Sequence, residues 1–402
     1  MKLLSDKQRQ RDVARTLKAR LKNGTNQKPT ISCANEKEDK KAWQELNRWI
    51  ETESQNGLKV SSCKKSGGRK RKNYIEITLP ARMDFYANYD TTVQTLTAIR
   101  KFTDLFSHFG RRGIPSKAKK IGTVCFDKLE RISTSAALVL TAEISKWDTS
   151  VLKKLTPQVD GWSDDIYSQF SQLGFFDLFQ NKPDKKVAQT KNQDFQFVRY
   201  IKGCCGNVQD TKEKREKLKQ EVRGLVGSTV PKWVILHSGI SEAVTNVTHH
   251  AYPDNSKCQD KSWYLTGSFD QRTKELKIAF YDQGIGIPKS LPESGIWEKV
   301  VAYFAKLSID KGEQLRHATL IKAAVSIDRT STDKNDRGKG LQDLIEFIRE
   351  IGSGYLSIIS YKGLFKCTIE KGQEKVKSDS FERPLRGTLI IWSVVLDEST
   401  QR

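Results

Sequence analysis

Regular alternation of apolar and polar residues predicts that the last third of the chain is rich in strands. The runs WYLTGSF (263–269) and ELKIAFY (275–281) alternate along their length, and the polar DQRTK between them is a turn signal. We therefore predict an antiparallel hairpin here. Further apolar runs predict strands at 355–361, 364–370 and 388–396, with a turn at Lys362-Gly363 between the first two.

Helical periodicity is found in the rest of the chain. The segment Asp39–Ser54 places Trp43, Leu46 and Ile50 on one face. The sequence Ser228-Thr229-Val230-Pro231 predicts the start of a long helix that ends near residue 251. Other predicted helices cover Asp90–Phe109, 133–147, Asp164–Leu173 and 341–351, and short strands are predicted within 74–85 and 121–129.

The order of these elements divides the chain into three zones. Residues 1–75 form a basic segment that is partly disordered or helical. Residues 76–195 run strand, helix, strand, helix, which predicts a smaller α/β domain. Residues 196–402 predict an α+β sandwich, in which a mixed, largely antiparallel sheet carries helices on one face.

Composition and charge narrow the classes of function. The 402 residues carry a formal net charge of +22, and residues 1–75 contain 20 Lys/Arg against 8 Asp/Glu, which is a net +12. Such a segment attracts polyanions, so contact with DNA or RNA and a merely solvated surface both stay open. The sequence has no uninterrupted apolar run near about 18 residues, and its first residues include no apolar h-region, so we expect neither a membrane span nor a signal peptide. The seven cysteines, an odd number, lack CxxC spacing, which argues against a disulfide framework and fits a cytoplasmic setting. Together with the lack of a long apolar run, this predicts a cytoplasmic protein without membrane contact.

Candidate chemistry begins on the predicted helix that ends near residue 251. Its segment SEAVTNVTHHAY places Glu242 and Asn246 four residues apart, so they share a face, with His249 and His250 close by. An amide oxygen can ligate Mg²⁺, and a carboxylate one turn away can orient or deprotonate water. The pair fits metal-assisted work on a phosphate, although such pairs are also common on exposed helix faces.

Three further segments carry glycines where backbone must approach a ligand. Asp282-Gln283-Gly284-Ile285-Gly286-Ile287 follows a strand, where the acid can accept a hydrogen bond from an exocyclic amine. Its glycines let backbone approach a flat ring without a Cβ collision. Arg337-Gly338-Lys339-Gly340-Leu341 opens a predicted helix, whose free amides and dipole suit a phosphate. Gly387-Thr388 begins the last strand.

Taken together and in this order, the four segments resemble the nucleotide-binding boxes of the GHKL superfamily, which includes DNA gyrase B subunits, Hsp90 chaperones, MutL proteins and sensor histidine kinases. The resemblance covers roughly residues 220–397 and implies the Bergerat ATP-binding fold. It implies that Glu242 is the catalytic base, that Asn246 is the Mg²⁺ ligand and that Asp282 binds the adenine amino group. The other residues implied to contact ATP are His250, Gly284, Gly286, Ile287, Arg337, Gly338, Lys339, Gly340, Leu341 and Thr388, with residues 288–337 as the ATP lid.

The middle zone carries a second resemblance. VCFDKLERISTSAALVLTAEISKW is similar to the strand, turn and helix of STAS-type domains, the antagonists in bacterial anti-sigma partner switching. This resemblance implies Ser133 or Ser135 as a phosphate acceptor, but the usual Asp-Ser-Ser-Gly pattern is absent. The small residues also suit close helix packing.

Two functions are therefore expected. The first is a Mg²⁺-dependent ATPase, a hydrolase whose lid closure switches dimerisation or partner binding, with nucleic acid as one partner through the basic N-terminus. The alternative is an anti-sigma-type serine protein kinase or a nucleotide-gated regulator of a protein partner. Both use ATP and Mg²⁺, and both fit bacterial regulation or defence.

Overall fold

The protein combines helices with a main sheet that is antiparallel throughout its described strands, where the sequence predicts a mixed, largely antiparallel sheet. The computed structural model describes residues 33–67, 70–109, 120–147, 157–185, 194–205, 208–228, 230–252, 261–294, 296–306, 316–327 and 342–396. Within these ranges no helix is long and apolar enough to cross a membrane.

The first half of the described chain forms helices and two small sheets. In chain order these elements are α1 (Cys33–Gln55), β1 (Val60–Gly67), β2 (Lys70–Thr78), β3 (Arg82–Met83), α2 (Tyr89–Phe109), β4 (Lys120–Cys125), β5 (Arg131–Ile132), α3 (Thr134–Ser145) and α4 (Asp164–Leu173), followed by a 3₁₀ turn (Phe175–Leu178). Strands β1 and β2 form an antiparallel hairpin, β4 extends it in parallel to β2, and β3 pairs with β5.

The second half builds the main sheet and the helices that cover one of its faces. Its elements are β6 (Phe195–Phe197), β7 (Ile201–Cys204), α5 (Val208–Val226), α6 (Trp233–Asn246), a π-helical turn (Val247–Ala251), β8 (Ser262–Asp270), β9 (Glu275–Asp282), α7 (Ile287–Ser290), a 3₁₀ turn (Leu291–Glu293), α8 (Trp297–Lys306), α9 (His317–Ile327), α10 (Gln342–Ile351), β10 (Gly354–Glu370) and β11 (Gln373–Val395). The strand order is β10-β11-β9-β8-β6, with β7 also paired to β8. All of these pairings are antiparallel.

Both faces of the central strands are buried. Along β9, Ile278 and Phe280 belong to one apolar core, whereas Ala279 and Tyr281 belong to another, because neighbouring side chains of a strand point to opposite faces. The carboxy-terminal core lies between this sheet and helices α6, α9 and α10. The amino-terminal core lies on the opposite face, where α2 packs on β11 and α3 packs on β8 and β9.

This arrangement differs from the predicted sandwich, which had helices on one face only. The second face was not recognised because its tyrosines are typical of a half-exposed strand. Tyr264 and Tyr281 are instead fully buried, and their hydroxyl groups bond to Ser145 and Glu143 of α3 at 3.0 and 3.3 Å. Helices from the predicted middle zone therefore share a core with the main sheet.

Most predicted elements are found within a few residues of their expected limits. The hairpin of β8 and β9 is confirmed, and so is helix α1, whose residues Trp43, Leu46 and Ile50 are buried. Helix α5 was not predicted, because its sequence is rich in Lys and Glu and buries few apolar side chains, such as Leu218 and Val222. The next helix begins at Trp233 rather than at the proposed Ser228 cap.

The predicted turn at Lys362-Gly363 is wrong. Strand β10 runs continuously through this dipeptide with a local register shift, and the turn to β11 lies at Lys371-Gly372. Gly363 has a different role: a Cβ there would lie 2.6 Å from the backbone of His317. The glycine allows the start of α9 to pack closely against the strand.

Candidate functional site

The centre of the candidate site is Asp282, the last residue of β9. Its side chain is 3% exposed, and Oδ1 accepts a hydrogen bond from the amide of Gly284 at 2.8 Å. Burial raises the pKa of Asp282 to about 7, although hydrogen bonds from the Gly284 amide and from Thr388 act in the opposite direction. Carboxyl groups whose pKa is raised by burial in this way cluster at functional sites.

Thr388 lies directly beside this carboxyl group. In the register of the sheet, Thr388 of β11 is opposite both Asp282 of β9 and Ser360 of β10. The Ser360 hydroxyl is 3.1 Å from the Thr388 hydroxyl and 3.1 Å from the carbonyl oxygen of Gly387. It also accepts a hydrogen bond from the amide of Ile287 at 2.9 Å. Three neighbouring strands thus position the acid, the threonine and the segment that follows the glycines.

The glycines at this site allow close backbone packing. Gly387 has φ +80, and a Cβ on it would lie 1.9 Å from the carbonyl oxygen of Asp282. Gly286 also has a positive φ, of +82. A Cβ on Gly284 would lie 2.3 Å from the carbonyl oxygen of Ala251, at the end of the π-helical turn. These contacts explain the glycines through packing of the protein itself, which the sequence prediction did not consider.

Glu242 and Asn246 lie on α6, whose apolar side is buried in the carboxy-terminal core. The amide nitrogen of Asn246 donates a hydrogen bond to Oε1 of Glu242 at 3.0 Å, and both side chains are half-buried. The predicted pairing one helical turn apart is therefore present. His250 is exposed on the π-helical turn that continues α6.

The end of this helix is bonded to the glycine segment. The backbone amide of Ile285 donates a hydrogen bond to the carbonyl oxygen of Ala251, with an N···O distance of 2.8 Å. The backbone amide of Gln283 donates to the Tyr252 hydroxyl oxygen at 3.2 Å. The same hydroxyl donates to the carbonyl oxygen of Ser262 at 2.7 Å. The helix bearing Glu242 and Asn246 is thereby joined to the segment that follows Asp282.

The structure therefore brings together three of the four predicted segments. Asp282, Gly284, Gly286, Ile287 and Thr388 form one hydrogen-bonded and packed cluster, joined to the helix of Glu242, Asn246 and His250. The predicted phosphate segment of Arg337, Gly338, Lys339, Gly340 and Leu341 lies outside the described residues.

Several residues of the site were missed by the sequence prediction. Ser360 and Tyr252 carry the hydrogen bonds described above, and neither belongs to a recognisable short motif. Gln283 donates from Nε2 to Oε1 of Glu143 on α3 at 2.9 Å. Glu143 also accepts from Nε of Arg100 on α2 at 3.0 Å. Gln283 and Glu143 are 140 positions apart, and Arg100 and Glu143 are 43 positions apart, so no local pattern could have indicated these contacts.

Glu143 and Arg100 form a buried ion pair behind the candidate site. Glu143 is 2% exposed and Arg100 is 9% exposed. Burial alone would raise the pKa of Glu143, but the charge of Arg100 and its hydrogen bonds hold that pKa below its ordinary value. The hydroxyl of Tyr281 lies 3.2 Å from the Arg100 guanidinium and donates to the Arg386 carbonyl oxygen at 3.1 Å. We call Arg100, Glu143, Tyr281 and Gln283 the interlayer network.

A cavity of about 450 Å³ touches the glycine segment from the side of α2. It is lined by Gln283, Gly284 and Gly387 together with Arg100 and Lys101. Glu242, Asn246, Asp282 and Thr388 are not among the residues that line it. Of the predicted adenine contacts, Gly284 therefore lines this cavity, whereas Asp282 and Thr388 do not.

The side chains near Glu242 and Asn246 determine whether a metal ion could bind at the candidate site. Within the described ranges, no three His, Cys, Asp or Glu side chains cluster closely enough to hold a metal ion by themselves. Because the amide nitrogen of Asn246 faces Glu242, its amide oxygen is the atom oriented away from that carboxylate. One oxygen ligand from the protein suits Mg²⁺, which usually keeps water and substrate phosphates as its other ligands.

The chain matches no protein-family model and no curated protein.

Proposed function

We propose that the protein binds ATP with Mg²⁺ and hydrolyses it, as a member of the GHKL type with a Bergerat fold. The observation that supports this proposal most is the buried Asp282 carboxyl group, flanked by Thr388 and by the glycine segment. A carboxyl group at a strand end can accept the amino hydrogen of adenine, and the neighbouring hydroxyl can strengthen that contact through water. Gly284, Gly286 and Ile287 would then contact the base.

The proposed phosphate chemistry uses the helix that is joined to this cluster. Asn246 would ligate Mg²⁺ through its amide oxygen, and the ion would neutralise phosphate charge. Glu242 would orient or deprotonate the attacking water from one helical turn away. His250 and the segment Arg337–Leu341 would complete the phosphate contacts.

Hydrolysis is favoured over phosphate transfer to the middle zone by the surroundings of its serines. Ser135 is 6% exposed within the first turn of α3, so an enzyme could reach it only after the helix opened. The Ser133 hydroxyl accepts the amide of Ala136 at 3.3 Å and caps the same helix. A STAS-like layer would act in partner switching, without either serine as a phosphate acceptor.

The proposed switch acts through the segment after Gly286. Two helices within the predicted lid pack into the carboxy-terminal core, through Val300 and Phe304 of α8 and Leu320 and Ile321 of α9. Lid closure would therefore involve rearrangement of packed helices. The interlayer network offers a route from the nucleotide to the amino-terminal layer, where a second copy, a protein partner or nucleic acid would bind.

The test measures phosphate release from Mg·ATP by the full chain and by two variants. One is Glu242→Ala, and the other is the control Glu216→Ala, at an exposed position of α5. We expect turnover by the wild type and by Glu216→Ala, and loss of roughly 100-fold or more in Glu242→Ala, as for removal of a general base. ATP affinity should persist in Glu242→Ala. If radioactive phosphate from labelled ATP appears on the protein instead of as free phosphate, the hydrolysis proposal is wrong and the kinase alternative is supported. Stimulation of phosphate release by DNA would identify nucleic acid as a partner.

A further inference from the structure

A second cavity lies on the opposite face of the main sheet from the side chain of Asp282. Its volume is about 370 Å³, and it lies between strands β9 to β11, the loop after β3 and the first turn of α3. Ile359 and Leu364 of the amino-terminal core form part of its apolar floor. Pockets for small molecules commonly have volumes of about 300 to 1,000 Å³ and a largely apolar lining.

Lys366 brings a positive charge to this cavity; within the described ranges no carboxylate lies at ion-pair distance from its ammonium group, although Glu275 and Glu370 act on it from farther away. Its ammonium group lies over two aromatic rings, 4.5 Å from the ring centre of Tyr86 and 4.3 Å from that of Tyr355. The two acids that line the cavity have other partners. Glu275 pairs with Lys277 at 2.7 Å, and Asp84 accepts the backbone amides of its own turn.

Hydroxyl groups and a helix start face the same cavity. Ser357 is 6% exposed and lines the cavity, and its hydroxyl has no hydrogen-bond partner in the part of the chain that the structure describes. Ser133, Thr134 and Ser135 line it at the start of α3, a helix of 12 residues. The first turn of a helix presents amides without helical partners, and they attract anions. Here the Ser133 hydroxyl caps the Ala136 amide, so among the described residues the amides of Thr134 and Ser135 are the ones that face an anion.

We propose that this cavity binds a small phosphate ester with an aromatic body. The Lys366 ammonium, the Ser357 hydroxyl and the first-turn amides of α3 would bind the phosphate, since charged donors make the strongest hydrogen bonds to it. The apolar floor of Ile359 and Leu364 would receive the aromatic group, next to the two rings that hold Lys366. The proposal is independent of ATP binding, because the cavity and the Asp282 side chain face different cores.

The experiment is calorimetric titration of the full chain with phenyl phosphate, inorganic phosphate and phenol. We expect phenyl phosphate to bind and to bind more tightly than either fragment. Lys366→Met should weaken it by roughly tenfold or more, because a charge-assisted hydrogen bond is lost. Lys375→Met, an exposed lysine on the neighbouring hairpin strand, is the matched control and should leave binding unchanged.

A second variant keeps the test decisive if Lys366→Met unfolds. Ser357→Ala removes one hydroxyl oxygen from the cavity wall and adds no atom. We expect it to bind phenyl phosphate severalfold more weakly than the wild type does. The proposal is overturned if the folded wild type does not bind phenyl phosphate at millimolar concentration. It is also overturned if both variants bind like the wild type, or if inorganic phosphate alone binds as tightly as phenyl phosphate.

Discussion

At the scale of single residues, the environment of Asp282 determines what the candidate site can do. Burial favours its neutral form, whereas the amide of Gly284 and the hydroxyl of Thr388 favour the carboxylate. The result is an acid that titrates near neutral pH, where a ligand with a hydrogen-bond donor can shift the balance. An adenine amino group is a donor of this kind, and it bonds more strongly to a carboxylate than to a neutral acid.

We therefore predict that adenosine affinity depends on pH through Asp282. Below a pKa of about 7 the free protein holds this acid neutral, so affinity should fall as pH decreases, by up to roughly tenfold per unit. Above that pKa the affinity should level off. Calorimetric titration with adenosine avoids the titration of the ATP phosphates. A flat profile in the wild type, or the same slope in Asp282→Asn, would contradict the assignment.

The stability of the unliganded protein should decrease as pH rises, whereas its affinity for adenosine should increase. The pKa of Asp282 is higher in the folded protein than the value of about 3.9 in the unfolded chain, so the folded state binds more protons between these values. Stability should fall by up to about 4 kcal/mol as pH rises from about 4 to 7, relative to Asp282→Asn. Urea unfolding of both proteins across this range measures the difference.

Gly387 offers a third prediction at this scale. Gly387→Ala should destabilise the protein strongly, because its Cβ would lie 1.9 Å from the carbonyl oxygen of Asp282 and its φ is +80. Gly372→Ala is the matched control, since its φ is +76 but nothing lies within 4 Å of the added Cβ. Strain in φ alone costs about 1 to 2 kcal/mol, and the collision should add at least about 2 kcal/mol. Equal losses in urea unfolding would refute the packing argument.

At the scale of secondary-structure elements, the interlayer network joins helices α2 and α3 to the end of β9. Glu143 accepts hydrogen bonds from Arg100 and Gln283 and lies 3.3 Å from the Tyr281 hydroxyl, so one carboxylate serves both layers. Removing one member of a buried ion pair leaves the other charge without compensation, which is more harmful than removing both. The network should therefore behave as a unit.

A double-mutant cycle tests this cooperation. Glu143→Leu should lower the free energy of unfolding by about 3 to 5 kcal/mol, because Arg100 would stay buried without its partner. Arg100→Met combined with Glu143→Leu should lose less than the sum of the two single variants by about 1 to 3 kcal/mol. Additive losses in denaturant unfolding would show that the pair does not act together.

The same scale shows what the sequence could and could not predict. Apolar periodicity located α1, the hairpin of β8 and β9, and the pairing of Glu242 with Asn246, because these depend on residues close in the chain. The turn at Lys362-Gly363 was misplaced, since Gly363 is explained by the approach of α9 from elsewhere in the chain. Ser360 and Glu143 act through sheet register and packing between layers, which no local pattern contains.

At the scale of the whole molecule, one sheet is shared by two apolar cores. Tyr264, Ala279, Tyr281 and Leu389 of the main sheet belong to the same core as the helices of the amino-terminal layer. A large apolar face without its cover favours aggregation. The predicted boundary at residue 196 therefore passes through a shared core.

We predict that residues 196–402 do not fold stably by themselves. The isolated segment should aggregate or expose an apolar surface that binds a hydrophobic dye, whereas residues 33–402 should unfold cooperatively, because they retain α1 to α4. Coexpression with residues 1–195 should restore solubility. A monomeric, cooperatively unfolding 196–402 segment would show that the second core is dispensable.

The central claim is that Asp282 forms part of an adenine site, and equilibrium binding of Mg·ATP tests it most directly. Calorimetry should detect ATP binding to the full chain and a loss of roughly tenfold or more in Asp282→Asn, which replaces one acceptor oxygen by a donor. Asp379→Asn, at an exposed position of β11, is the control and should bind like the wild type. Absence of ATP binding by the folded wild type, or equal affinity in Asp282→Asn, would contradict the account.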